Sequence, residues 1–109
     1  MPTQKNDLDT TWLVNTDNDT WTLTKGATIT TNAEPGVFVD NDFTGNTIRL
    51  LGDVVTTGFA QVAVQIQGDN NKLRIGPDSF IDGSAVNVGV DVNGLGTTVT
   101  NEGVIKGIN

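Results

Sequence analysis

Four short runs in which apolar and polar residues alternate recur along the chain at nearly constant intervals. They are WLVNT (12–16), VFVDN (37–41), VAVQI (62–66) and VGVDV (88–92), set 25, 25 and 26 residues apart. A fixed period of this length constrains the fold strongly. Each copy is one small unit that cannot bury its own apolar face, so the copies must stack. On these spacings Trp12, Val37, Val62 and Val88 form one apolar column, and Val14, Val39, Val64 and Val90 the next. The residues between them, Leu13, Phe38, Ala63 and Gly89, are mixed, as expected of an outward face.

Two further sets keep the same order. WTLT (21–24), TIRLL (47–51), KLRIG (72–76) and TVTNE (98–102) align through Trp21, Ile48, Leu73 and Val99, then through Leu23, Leu50, Ile75 and Asn101. GATITT (26–31), GDVVTT (52–57), DSFIDG (78–83) and EGVIKG (102–107) share the apolar position Ile29, Val55, Ile81 and Ile105. Thirteen glycines and many Asn and Asp residues supply corners, while Val, Ile and Thr supply strands; the usual helix formers are scarce. The prediction is an all-β, single-stranded parallel β-helix (β-solenoid) of about four coils of 25–27 residues, each with three short strands. Residues 10–109 form this domain and residues 1–9 an N-terminal arm, disordered or capping. An antiparallel sandwich also has short strands at regular spacing, but it does not require matching columns at a fixed period.

Charge and composition narrow the partners. Six basic residues against thirteen acidic ones give a net charge of −7, which disfavours nucleic acid and anionic membranes. There is no cysteine for disulfide or thiolate chemistry, a composition that fits many bacterial secreted and surface proteins. No apolar run approaches the roughly 18 residues of a membrane span, so membrane insertion is not expected. The opening MPTQKNDLDT lacks an apolar signal core, so the expectation is that the protein stays inside the cell, leaves by a route that reads no such signal, or is a piece of a longer chain.

The segments GDNNKLRIGPDSFIDGS and GTTVTNEGVIKG resemble repeats of right-handed parallel β-helices of the broad pectin-lyase-like class. Similarity is greatest to bacterial autotransporter passengers and large secreted adhesins, whose rungs often carry Asn-x-Gly-x-Ile-x-Gly; here these are Asn101, Gly103, Ile105 and Gly107. The resemblance spans residues 10–109 and implies a fold and a secreted or cell-surface location rather than an activity. Enzymes of that class are much longer and carry a groove lined by acids or arginines.

The acidic turns NTDNDT (15–20), DNDFTGN (40–46), GDNN (68–71) and DVNG (91–94) are expected to stack on one corner, between the third strand of a coil and the first of the next. Carboxylates at rung spacing repel by about 1 kcal/mol in water, and Ca²⁺ bound by Asp17, Asp19, Asp40, Asp42 and Asp69 would relieve this. Against it, the spacings match neither the nonapeptide of calcium β-rolls nor an EF-hand, and Asn and Asp favour turns for backbone reasons alone. Asp19, Asn46, Asn71 and Thr97 suggest a ladder of polar side chains. No His, Cys or Tyr is present to act as nucleophile or near-neutral base, so no catalytic residues are assigned and the chain is read as a non-enzyme without a required cofactor. Trp12 and Trp21 fall at inward positions and are expected to fill the core of the first coil. Phe38 points outward, with Phe43 and Phe59 at corners near it, which would give a small apolar strip.

The chain is read as opening on a third-type strand and stopping just after a second-type strand, with four strands of each type. On that count one copy's end would meet the next copy's start without a missing strand. Neither end shows a capping helix or a proline-blocked strand, and exposed rungs template strand addition. The expected role is therefore a non-catalytic structural subunit that stacks head to tail into an extracellular filament or matrix fibre. Its junction would set Trp12, Val14, Trp21, Leu23 and Ile29 against Val90, Val92, Val99 and Ile105, with about a dozen backbone hydrogen bonds of ~1 kcal/mol net each. The alternative is an adhesin-type or calcium- or glycan-binding module from a larger secreted protein.

Overall fold

The computed structural model describes residues 2–58, 62–83 and 88–107. Among them every regular element is a strand, and every strand pairing is parallel. The chain winds through three sheets in turn. Sheet I contains β2 (Trp12–Val14), β5 (Val37–Val39), β8 (Val64–Ile66) and β11 (Val90–Val92). Sheet II contains β1 (Thr3–Gln4), β3 (Thr20–Leu23), β6 (Thr47–Leu50), β9 (Lys72–Ile75) and β12 (Thr98–Asn101). Sheet III contains β4 (Thr28–Asn32), β7 (Asp53–Thr57), β10 (Phe80–Asp82) and β13 (Val104–Lys106). Each coil therefore takes one strand from each sheet, and four coils stack into a parallel β-solenoid.

Alternation within these strands sends one residue in two to a shared axis. Val14, Leu23, Ile29, Val39, Ile48, Leu50, Val54, Ile66, Leu73, Ile75 and Ile81 are all buried there. Trp12 and Trp21 close the core of coil 1, their rings meeting edge to face at 5.4 Å and 72°. Trp21 Nε1 donates to Thr16 Oγ1 at 2.9 Å, so the one polar atom of that ring is satisfied at the core margin.

In sheet II the register matches the sequence alignment at every position: Trp21, Ile48, Leu73 and Val99 lie in one column, and Leu23, Leu50, Ile75 and Asn101 in the next. The other two sheets correct it. In sheet I, Val37 pairs with Val64 and Val39 with Ile66, so the columns are Trp12/Val37/Val64/Val90 and Val14/Val39/Ile66/Val92. The alignment through Val62 and Val88 was two residues early, an error that preserves which residues face inward. In sheet III, Ile29 and Ile81 both pair with Val54, and Val54 rather than Val55 is the buried member. There the slip was one residue, and it would have turned the strand inside out.

The ends differ from the sequence count as well. Among the described residues the last strand, β13, belongs to the third type, not the second, and β1 adds a fifth strand to sheet II. Residues 2–8 lie on coil 1: Pro2 O accepts from Thr22 N and Gln4 O from Thr24 N, both at 3.0 Å. Leu8 bridges to Ile29, donating to Thr28 O at 3.0 Å and accepting from Thr30 N at 2.9 Å.

Candidate functional site

The acidic turns do stack on one corner, but that corner joins the first strand of each coil to its second. The backbone there crosses into the left-handed region once per coil, at Asn18 (φ 54°), Gly45 (φ 74°), Asn70 (φ 57°) and Gly96 (φ 68°). Asn and Gly tolerate this conformation better than other residues, which accounts for their place in the turns.

Beside these residues runs the polar ladder. Asn46 and Asn71 are completely buried. Asn46 donates from Nδ2 to Thr16 O at 2.7 Å, while its Oδ1 accepts from Asp19 N at 3.1 Å. Asn71 repeats the arrangement one coil on, donating to Phe43 O at 3.2 Å and accepting from Asn46 N at 2.9 Å. Thr97 continues it with a 3.3 Å bond to Gly68 O. Each side chain thus satisfies corner backbone of the preceding coil, and at buried Asn46 and Asn71 an orphaned group would cost about 1–3 kcal/mol.

The calcium candidates are spread over this corner rather than gathered. Asp17 Oδ1 accepts from Thr44 N and Asp69 Oδ1 from Leu95 N, both at 2.9 Å, so each clips its own coil to the next. Asp19 Oδ1 accepts from Thr20 N at 2.8 Å and Asp40 Oδ1 from Asn41 N at 2.6 Å. Asp42 is exposed on the longer corner of coil 2. Among the described residues no group of three potential ligands converges on a point where a cation could sit. Asp7 and Asp53, which the turn motifs do not include, are further clips: they accept from Thr28 N at 2.8 Å and Phe80 N at 2.9 Å.

On the outer face of sheet I, Leu13 pairs with Phe38, and both line an open groove with Pro35. Phe38 is half-buried and Phe43 packs partly against the core, while Leu13 is the exposed member. Phe59 lies outside the described residues.

The candidate junction residues occupy very different surroundings. Trp12, Val14, Trp21, Leu23 and Ile29 are core side chains of coil 1, and β3 and β4 are already bonded on their outer edges by residues 2–8. Val90, Val92 and Ile105 are only partly buried, and Val99 is 43% exposed. All of β12 is exposed. The described chain is therefore covered on sheets II and III of coil 1 and uncovered at coil 4.

A feature that the apolar columns did not reveal links the corners. Thr11, Gly36, Ala63 and Gly89 precede the strands of sheet I; Ala27, Gly52, Ser79 and Gly103 precede those of sheet III. Together with Asn18, Gly45, Asn70 and Gly96, every such position carries a side chain in coils 1 and 3 and glycine in coils 2 and 4. The alternation has a steric cause. A Cβ on Gly45 or Gly96 would overlap Oδ1 of Asn18 or Asn70 in the coil before, and one on Gly52 or Gly103 would overlap the carbonyl of Ala27 or Ser79. The repeat is thus a pair of coils. The glycines alone could have revealed it, since 36/89, 45/96 and 52/103 are separated by 53, 51 and 51 residues.

Comparison with protein-family models, curated proteins and solved structures finds no match to this chain.

Proposed function

We propose that the chain is a non-catalytic structural β-solenoid that assembles end to end, coil 4 of one copy seated on coil 1 of the next. The observation that carries this reading is the open end of coil 4, where Val99 of the inward column is exposed beside partly buried Val90, Val92 and Ile105. Its glycine corners match those of coil 2, which is followed by coil 3 with side chains at those positions. Coil 1 is a coil of that kind. Such a junction sets Val90 against Trp12, Val99 against Trp21 and Ile105 against Ile29, apolar on apolar. Asn101 against Leu23 is its one mixed pair.

Residues 2–8 hold part of that place on sheets II and III, leaving the outer edge of β2 open. End-to-end stacking therefore displaces a few backbone bonds and forms the longer ladders of a full coil. In this reading the resemblance to autotransporter and adhesin rungs puts the assembly outside the cell, as a filament or matrix fibre. Negative staining of the purified protein at high concentration tests it. Filaments one solenoid wide are expected, and Ile105→Pro should abolish them while the lower coils remain folded by circular dichroism. Monodisperse particles at every concentration would reject the reading.

A further inference from the structure

Sheet II turns outward a face of uniform chemistry. In the in-register ladder of β3, β6, β9 and β12, one outward column is Thr20, Thr47, Lys72 and Thr98, and the next is Thr22, Arg49, Arg74 and Thr100. None of the strands in this sheet carries a carboxylate, in a chain with thirteen acids and six cations. Three of those six cations stand here, all exposed.

Arg49 and Arg74 are paired directly across β6 and β9. Adjacent strands lie about 4.8 Å apart, and like charges opposite one another are unfavourable. Glu102 meets Arg74 at 2.8 Å, and Lys25 meets Asp78 at 3.1 Å across the outside of the solenoid. Arg49 and Lys72 take part in neither pair. The adjoining corner between sheets I and II has the opposite charge, with Asp17 in coil 1, Asp40 and Asp42 in coil 2 and Asp69 in coil 3. Stacking gives both rows the same repeat, the rise of one coil.

We propose that a second copy of the chain docks side by side on this face, its acidic corner laid along Arg49, Lys72 and Arg74. Because face and corner adjoin, a two-fold pair uses each surface twice and closes as a dimer. Guanidinium groups bind carboxylates through two parallel bonds, and the flanking threonines add neutral donors without bulk. Copies of net charge −7 repel at long range. At physiological salt the Debye length of about 8 Å screens that repulsion and leaves contact pairs attractive. This contact does not depend on end-to-end stacking.

Sedimentation of the full chain carrying Val99→Gln, a change aimed at the coil 4 junction alone, tests it. A two-copy species is expected at about 0.15 M salt and monomer at about 1 M. Arg49→Glu with Lys72→Glu should weaken the pair at least about tenfold with an unchanged melting transition, and adding Asp40→Lys and Asp42→Lys should restore it. A pair that survives high salt or ignores the charge reversals overturns the proposal. So does a chain that remains monomeric, including one that binds heparin through this face, which would assign the cations to a foreign polyanion.

Discussion

Coil 2 and coil 4 follow one pattern of strands and corners, yet they do not share one environment. In coil 2 the inward residues Val37, Val39, Ile48, Leu50 and Val54 are completely buried. In coil 4 the equivalent residues Val90, Val92 and Ile105 are partly buried, and Val99 is exposed. What separates the two is chiefly their neighbours, together with Asn101 of coil 4 at the place of Leu50. In a solenoid each coil is covered by the coils on either side, so burial belongs to position in the stack rather than to the coil itself. Coil 1 shows how an end is covered: two tryptophans fill its core, and residues 2–8 lie across sheets II and III.

The contrast between the coils predicts a graded response to substitution. Leu50→Ala in coil 2 removes a completely buried side chain from a closely packed axis and should lose about 3–4 kcal/mol in urea unfolding. Val99→Ala in coil 4 should lose under about 1 kcal/mol in the same measurement, because solvent already reaches the site. Equal losses would show that burial does not follow position in the stack.

Corner chemistry comes next. Gly68→Ala places a methyl against Phe43 O and should destabilise by about 1–3 kcal/mol, since the backbone of coil 2 must give way. Gly26→Ala has open space around it and a φ of 92°, so only the conformational penalty of about 1 kcal/mol applies. A similar loss at both sites would show that conformation, rather than contact between coils, sets the need for glycine.

Asn71→Ala should cost about 2 kcal/mol by thermal or urea unfolding, as the buried Asn46 N–H and Phe43 carbonyl lose their partner. The smallest effect is expected at Asp69→Ala, which removes an exposed acceptor from Leu95 N near the uncovered end. Its global stability should fall by less than about 1 kcal/mol, while hydrogen exchange at Leu95 accelerates locally.

Much of this arrangement was legible before the fold was seen. The 25–27-residue period, three strands per coil, the register of β3, β6, β9 and β12 in sheet II and the Asn46–Asn71 ladder can all be read from apolar alternation and turn residues. In sheet II the flanking polar residues leave a single in-register solution. VAVQI does not: Val62, Val64 and Ile66 all have inward parity, so periodicity alone leaves the alignment open by two residues. GDVVTT offers two adjacent valines, and local pattern cannot choose between them. Stacking makes that choice, since Gly52 is placed under Ala27 and Asp53 N bonds Ala27 O at 3.1 Å, which puts Val54 on the axis.

The acidic corner divides in the same way. Composition places Asp and Asn in turns, whereas only the stacked coils show that Asp17 and Asp69 serve backbone donors of the following coil instead of converging on an ion. Sequence by itself thus determined the period, the strand-forming residues and the inward parity of sheets I and II, because these are local consequences of alternation. The tertiary structure decided which coil residues meet, why glycine must alternate, and which end is covered. Those outcomes depend on contacts between residues about 25 or more positions apart, which local alternation does not encode.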